Sequence, residues 1–325
     1  MEIQLVAPIA HVDEVQNIED GEKQFILANT IGITPSELKT SCIIPSFAKD
    51  NESTISHTHF IESIYLAAQT WFKQESILEP IIRVSHPVKG RIPSAMGKPA
   101  KLLSEDEKTL YYERMAFFIE IPSICDTING NELNLTLGGV RAYNLENLYS
   151  RKVEEKFKIF IGFNNKVCLN LCVSSDGFVE ELRARTASEI IEEAFKLFSN
   201  YNAPLLLKQM ATFESEFLTD QQFAQLLGRA RMYQHLPPKI KREIPSIMPL
   251  SDTQVSIVTK SYYHDESFAG DTLGGISLWK LFNLFTGANK SSYIDTFIDR
   301  GVGSHTFISD LYNSLNASKY NWFLQ

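Results

Sequence analysis

Apolar positions along this chain follow three rhythms in turn, and each implies a different backbone. Over residues 1–50, Gly21, Gly32, Pro35 and Pro45 interrupt a mixture of acidic and apolar residues that has no sustained period. No regular element is expected there, and the segment reads as an N-terminal arm that orders against a partner. From His57 to Lys73 the period becomes helical. Phe60, Ile61, Ile64, Tyr65, Ala68, Trp71 and Phe72 form a stripe behind Ser56, whose hydroxyl suits an N-cap.

Between Ser76 and Ser174 the rhythm shortens. Segments 76–84, 109–121, 131–143, 155–163 and 166–173 are rich in β-branched and aromatic residues, and Asn, Gly or charged breaks separate them. Each is one strand long, which predicts a mainly antiparallel sheet. Asn129-Gly130-Asn131 and Asn164-Asn165 are short enough for hairpins, so the sheet is a meander at least in part. After Asp176-Gly177 the helical period returns. Thr186 with Glu189, Thr219 with Gln222, and Ser251 with Gln254 match the capping box. Stripes follow at Ile190, Ile191, Ala194, Phe195 and Phe198, at Phe223, Leu226 and Leu227, and at Ile276, Trp279, Phe282 and Phe285. Tyr320, Trp322 and Phe323 at the C-terminal end are expected to dock.

The predicted class is α+β, a central mainly antiparallel sheet with a helical C-terminal half packed on it. It divides into the arm (1–50), a helix plus sheet (51–180) and a helical region (181–325) sharing one core with the sheet.

With 325 residues, 44% of them hydrophobic, the chain can bury a substantial core. No apolar run nears the roughly 20 residues of a membrane span, and the first residues lack a basic and then apolar leader pattern. Cys42, Cys125, Cys168 and Cys172 are too few and too irregular for a disulfide framework. A cytoplasmic protein with no membrane partner is the expectation.

Catalytic signatures are sparse. No nucleophile elbow occurs, and Gly138-Gly139 and Gly274-Gly275 lack the spacing of a phosphate or dinucleotide loop, so they read as turns and no cofactor is indicated. Cys168 and Cys172 share a strand face without a second ligand pair and read as small hydrophobes. His57 and His59 read as surface residues of a helix start. Glu113 falls on the face of Met115, Phe117 and Ile119, which predicts a buried or rim carboxylate paired with Arg114 or Arg141. Asp265, Asp271, Asp295 and Asp299 form a late acidic set that could hold a divalent cation for phosphodiester hydrolysis.

Charge changes the picture more. The formal net charge is -8, yet residues 83–101 carry Arg83, Lys89, Arg91, Lys98 and Lys101 without one carboxylate. Pro87, Pro93, Pro99, Gly90 and Gly97 exclude a helix there, so an exposed basic loop is predicted. A second basic stretch sets Arg229, Arg231, Lys239, Lys241 and Arg242 around Tyr233 and His235. Cations that track phosphates beside rings that stack on bases suit single-stranded DNA. The assigned nucleic-acid residues are Arg83, Lys89, Arg91, Lys98, Lys101, Arg229 and Arg231, with Tyr233 and His235 stacking.

The phrases IRVSHPVKGRIP, KTLYYERMAFFIEIPSI, LGGVRAYNLENLY, EKFKIFIGFNNKVCLNLCV, QFAQLLGRARMYQHLP and LFTGANKSSYIDTFIDR together resemble domain-of-unknown-function family thirty-eight seventy-one, from about Phe47 to Leu324. The resemblance implies a setting on bacterial mobile elements and prophages, and carries over no catalytic residue. The combined expectation is a non-enzymatic DNA-associated protein, binding single strands or assisting replication or recombination. The alternatives are a factor that engages a host or element protein, and a metal-dependent phosphodiesterase.

Overall fold

The computed structural model describes residues 24–41, 55–143, 154–271 and 274–325. In chain order its N-terminal half comprises Ile31–Ile33 (β1), Pro35–Ser41 (α1), His57–Trp71 (α2), Ile81–Val84 (β2), Pro87–Arg91 (β3) and Lys108–Tyr112 (β4). The long strands Arg114–Ile128 (β5), Asn131–Ala142 (β6) and Glu155–Asn165 (β7) follow, then Asn170–Cys172 (β8) and Phe178–Ala184 (β9). Helices dominate thereafter: Ala187–Asn200 (α3), Ala203–Thr212 (α4), Asp220–His235 (α5) after the short Phe217–Leu218 (β10), Pro238–Glu243 (α6) and Asp252–His264 (α7). Ile276–Ser277 (β11) then leads into Leu278–Asn289 (α8) and Ile294–Asn316 (α9). The structure is α+β, and no described helix is long and apolar enough to cross a membrane.

Seven antiparallel strands form the main sheet in the order β1-β2-β5-β6-β7-β8, and β9 pairs with the part of β7 that β8 leaves open. The β5–β6 hairpin turns at Asn129 and Gly130, both at positive φ, as a tight two-residue connection requires. The β7–β8 turn lies at Lys166–Leu169 rather than at Asn164-Asn165, because β7 continues its pairing through Asn165.

Both faces of this sheet are buried, which is why its strands read as nearly unbroken apolar runs rather than clean alternation. On one face Phe117, Ile119, Leu135, Leu137, Phe157 and Ile161 join Phe60, Ile64 and Ala67 of α2, Ala194 of α3 and the cores of α5, α7 and α8 in one cluster. On the other, Ala116, Phe118, Val140, Phe160 and Leu171 pack against Phe25, Ile26 and the first turns of α9.

All the anticipated caps form. Ser56, Thr186, Thr219 and Ser251 each accept the amide hydrogen bond of the residue three positions on. Five other expectations are revised. Residues 24–41 of the expected arm are folded: β1 extends the sheet and Phe25 and Ile26 are fully buried, while 1–23 and 42–50 lie outside the described residues. Gly138-Gly139 is no turn but the centre of β6, where the neighbouring Phe117 carbonyl and Phe60 ring leave no room for a Cβ. His57 is buried rather than at the surface, its ring 4.4 Å from that of Tyr143. Glu113 sits in a bend between β4 and β5, so it belongs to neither strand face. At the C-terminal end Phe323 is buried as expected, but Tyr320 is exposed.

Candidate nucleic-acid interface

The first basic stretch builds an antiparallel ribbon, β3 with β4, outside the main sheet. Its proline and glycine content ruled out a helix without ruling out a short strand. Lys89 pairs with Leu110 and Arg91 with Lys108, and since directly opposed residues share a face, Lys89, Arg91 and Lys108 line up on one side. Val88, Gly90, Thr109 and Tyr111 take the other. Thr109 is buried, and its hydroxyl fills the space beside Gly90, where a Cβ would lie 2.6 Å away. The cationic side is therefore the outer one: Lys89 and Lys108 are exposed and Arg91 is half-buried.

Internal bonds stiffen the connection between the two strands. The Arg91 guanidinium donates to the Lys98 carbonyl, and the Lys98 ammonium donates to the Glu107 carboxylate at 2.6 and 2.8 Å. The Lys98 bond, then the Ser104 amide, hold the Glu107 carboxyl down at about 2. Lys108 is 2.5 Å from Glu105, an exposed pair that solvent screens. Lys89 and Lys101 are exposed and have no ion-pair partner among the described residues.

Arg83 is not on this ribbon. It lies in β2, and its guanidinium donates to the Thr30 hydroxyl at 2.9 and 3.0 Å and to the Thr30 carbonyl at 2.7 Å, tying residues 24–30 to the sheet.

The second basic stretch is divided: Arg229 and Lys241 pack on rings, while Arg231, Lys239 and Arg242 are exposed. Arg229 covers the Trp322 ring at 4.8 Å and donates to the Gln325 carbonyl, and Arg231 donates to the Ser256 hydroxyl near Asp252. Tyr233 is 7% exposed, held between Trp322 and Phe323 with the Lys241 ammonium over its ring. That burial removes Tyr233 from any base-stacking role. Only His235, at the exposed end of α5, keeps a solvent-facing ring.

The four acidic candidates do not converge. Asp265 ends α7 and accepts the amides of Ser267 and Phe268; Asp271 is 2.5 Å from the Lys280 ammonium. Asp299 and Asp295 face β7 and β5 instead, Asp299 at 2.5 Å from Lys158 and Asp295 at 3.9 Å from Arg114. Among the described residues no group of three His, Cys, Asp or Glu is placed to hold a metal.

Two buried carboxylates escaped the sequence reading. Glu155 pairs with the fully buried Arg141, which also donates to the Ile55 carbonyl and lies between the rings of Tyr143 and Phe157. Glu120 receives the Asn134 amide at 2.8 Å, the Asn164 amide at 3.4 Å and the Lys166 ammonium at 2.8 Å. A signal for the second was present in Glu120, Asn134 and Asn164, polar residues interrupting strands otherwise buried on both faces.

A family model described as a domain of unknown function, B. Theta gene description (DUF3871), matches residues 9–324. No curated protein and no solved structure matches the chain.

Proposed function

Since the chain belongs to the DUF3871 family, whose description assigns no activity, we propose from the ribbon that it is a non-enzymatic DNA-associated protein that captures the sugar-phosphate backbone. The observation that carries this reading is the row of Lys89, Arg91 and Lys108 on the outer side of β3 and β4, with Lys101 in the connection. A two-stranded ribbon is narrow enough to enter a DNA groove or follow a single strand, and its cations release counterions as they meet phosphates. The mobile-element setting that the resemblance implies supplies DNA as the polyanion. With Tyr233 in the core, affinity comes from charge rather than from bases, so single-stranded and duplex DNA compete on nearly equal terms.

Fluorescence anisotropy with labelled single-stranded and duplex DNA over a salt series tests this. Three or four phosphate contacts give a slope of log K against log salt near about -3. Lys89→Glu with Lys101→Glu flattens it by roughly 2. An unchanged slope in that variant removes the ribbon from the interface.

Val88, Met96 and Leu102 are exposed on the same excursion, Met96 at 79%, and they favour a second reading, an acidic protein partner from the host or the element. Met96→Ser with Leu102→Ser separates the two, because loss of exposed apolar area weakens a protein contact and spares a phosphate contact.

A further inference from the structure

A cleft of about 470 Å³ opens between α5 and α7, walled by Phe223, Tyr262 and Tyr263 and edged by Asp220, Gly270 and Asp271. Phe223 and Tyr262, both buried, stack with centroids 4.3 Å apart, and Tyr263, 71% exposed, stands nearly perpendicular to Tyr262 at 5.0 Å. The walls are fixed from behind. The Tyr262 hydroxyl donates to the Asp220 carboxylate, which also accepts the Gly275 amide at 2.9 Å. Gly270 donates its amide to the Tyr262 carbonyl, and a Cβ at that position would lie 2.4 Å from the Tyr262 ring. Gly274 and Gly275, at φ +90 and +100, turn the chain back beneath Asp220.

The charges are unequal. Asp271 is matched by Lys280, whereas the bonds to Asp220 come from neutral donors and no described cation pairs with it. Among the described residues no Lys or Arg lines the cleft. The exposed, electron-rich ring of Tyr263 beside the Asp220 carboxylate attracts a cation and repels an anion. We propose that this cleft binds the cationic head group of an alkylammonium or guanidinium compound, the chemistry of lysine and arginine side chains. The inference is independent of the ribbon and of its polyanion.

NMR titration of the full chain with acetyl-lysine methylamide, acetyl-arginine methylamide and the neutral acetyl-norleucine methylamide tests it. Saturable shifts at the Tyr262, Tyr263 and Gly270 amides are expected with the two cations and not with norleucine. Tyr263→Ala, which removes an exposed ring, and Asp220→Asn, which keeps an acceptor but no charge, should each weaken binding roughly three- to fivefold. Butylammonium serves as a further arm. Binding as tight as the amides assigns the site to free amines, and weaker binding assigns it to basic peptides; both uphold the head-group chemistry. Equal binding of norleucine, or affinity unchanged in both variants, overturns the proposal.

Discussion

The ring of Phe60 occupies the space that a side chain on Gly139 would need: a Cβ there would approach Phe60 Cζ to 2.4 Å and the Lys158 carbonyl to 2.9 Å. Phe60 is fully buried, edge-on to Phe117 and 4.7 Å from Phe157, so α2 is keyed into the sheet at a strand position without a side chain. Interiors packed this densely yield little.

Gly139→Ala should therefore destabilise by about 1–3 kcal/mol through overpacking. Phe60→Leu in the same chain should return part of that loss, since the ring end is the atom in the way, while the Lys158 carbonyl keeps the rescue incomplete. Urea unfolding of the two single variants and the double variant measures the coupling. Strictly additive losses would show that α2 does not rest on Gly139.

The two buried carboxylates predict unequal costs. Glu155→Gln leaves the Arg141 guanidinium charged and fully enclosed, and about 3–5 kcal/mol of stability should be lost. Lys166, the partner of Glu120, is 39% exposed in its side chain and can turn to water. Glu120→Gln should cost nearer 1–2 kcal/mol, the worth of the amide bonds it disturbs. Denaturant midpoints that reverse this order would mean that solvent reaches Arg141.

How far the sequence could be read depended on how local each cause was. Capping pairs such as Thr219 with Gln222 act within three residues, and Asn129-Gly130 fixes its own hairpin, so helix starts and the β5–β6 turn are legible. Partners set by register were not. The β5–β6 pairing slips between Ile121 and Cys125, around Pro122, and that slip puts Glu120 opposite Thr136. A proline inside a strand marks such a bulge without giving its size. Excluding a helix over 83–101 leaves both a loop and a strand open, and the strand forms because Pro87 begins β3, where the ring is tolerated, and Gly90 admits Thr109. Tyr233 looked like a stacking ring because only the docking of Phe323 and Trp322 encloses it, a contact about ninety residues away.

Thiol reactivity should follow burial. Cys125 is exposed in the strand just beyond the bulge, whereas Cys172 is fully buried and burial pushes its thiol far above the ordinary range. Iodoacetamide under native conditions should modify Cys125 within minutes and leave Cys172 intact until denaturant is added, as the thiolate is the reactive form. Peptide mass mapping at timed quenches checks the order, and native labelling of Cys172 would place β8 among the parts that open easily.

The buried imidazoles set a direction for acid sensitivity. Burial, helped by the Arg141 charge and opposed by the bond to the Tyr112 carbonyl, pushes His57 down to about 3, and burial pushes His305 down to about 4. Both are neutral in the folded chain above those values, while in the unfolded chain each titrates near about 6.5. Above pH 6.5 neither affects stability. As the pH falls from about 6.5 toward 4, the unfolded chain takes up protons that the folded chain refuses, so stability is lost by up to about 1.4 kcal/mol per pH unit for each group. Most carboxylates are still ionised in both states between pH 6.5 and 5, which isolates the two histidines in that window. Urea midpoints at pH 7.5, 6.5, 5.5 and 5.0 should fall for the native sequence, and His57→Gln should remove about half of the slope. A slope unchanged by both His57→Gln and His305→Gln would mean that protons reach these rings without unfolding, so that the space around α2 or α9 opens on its own.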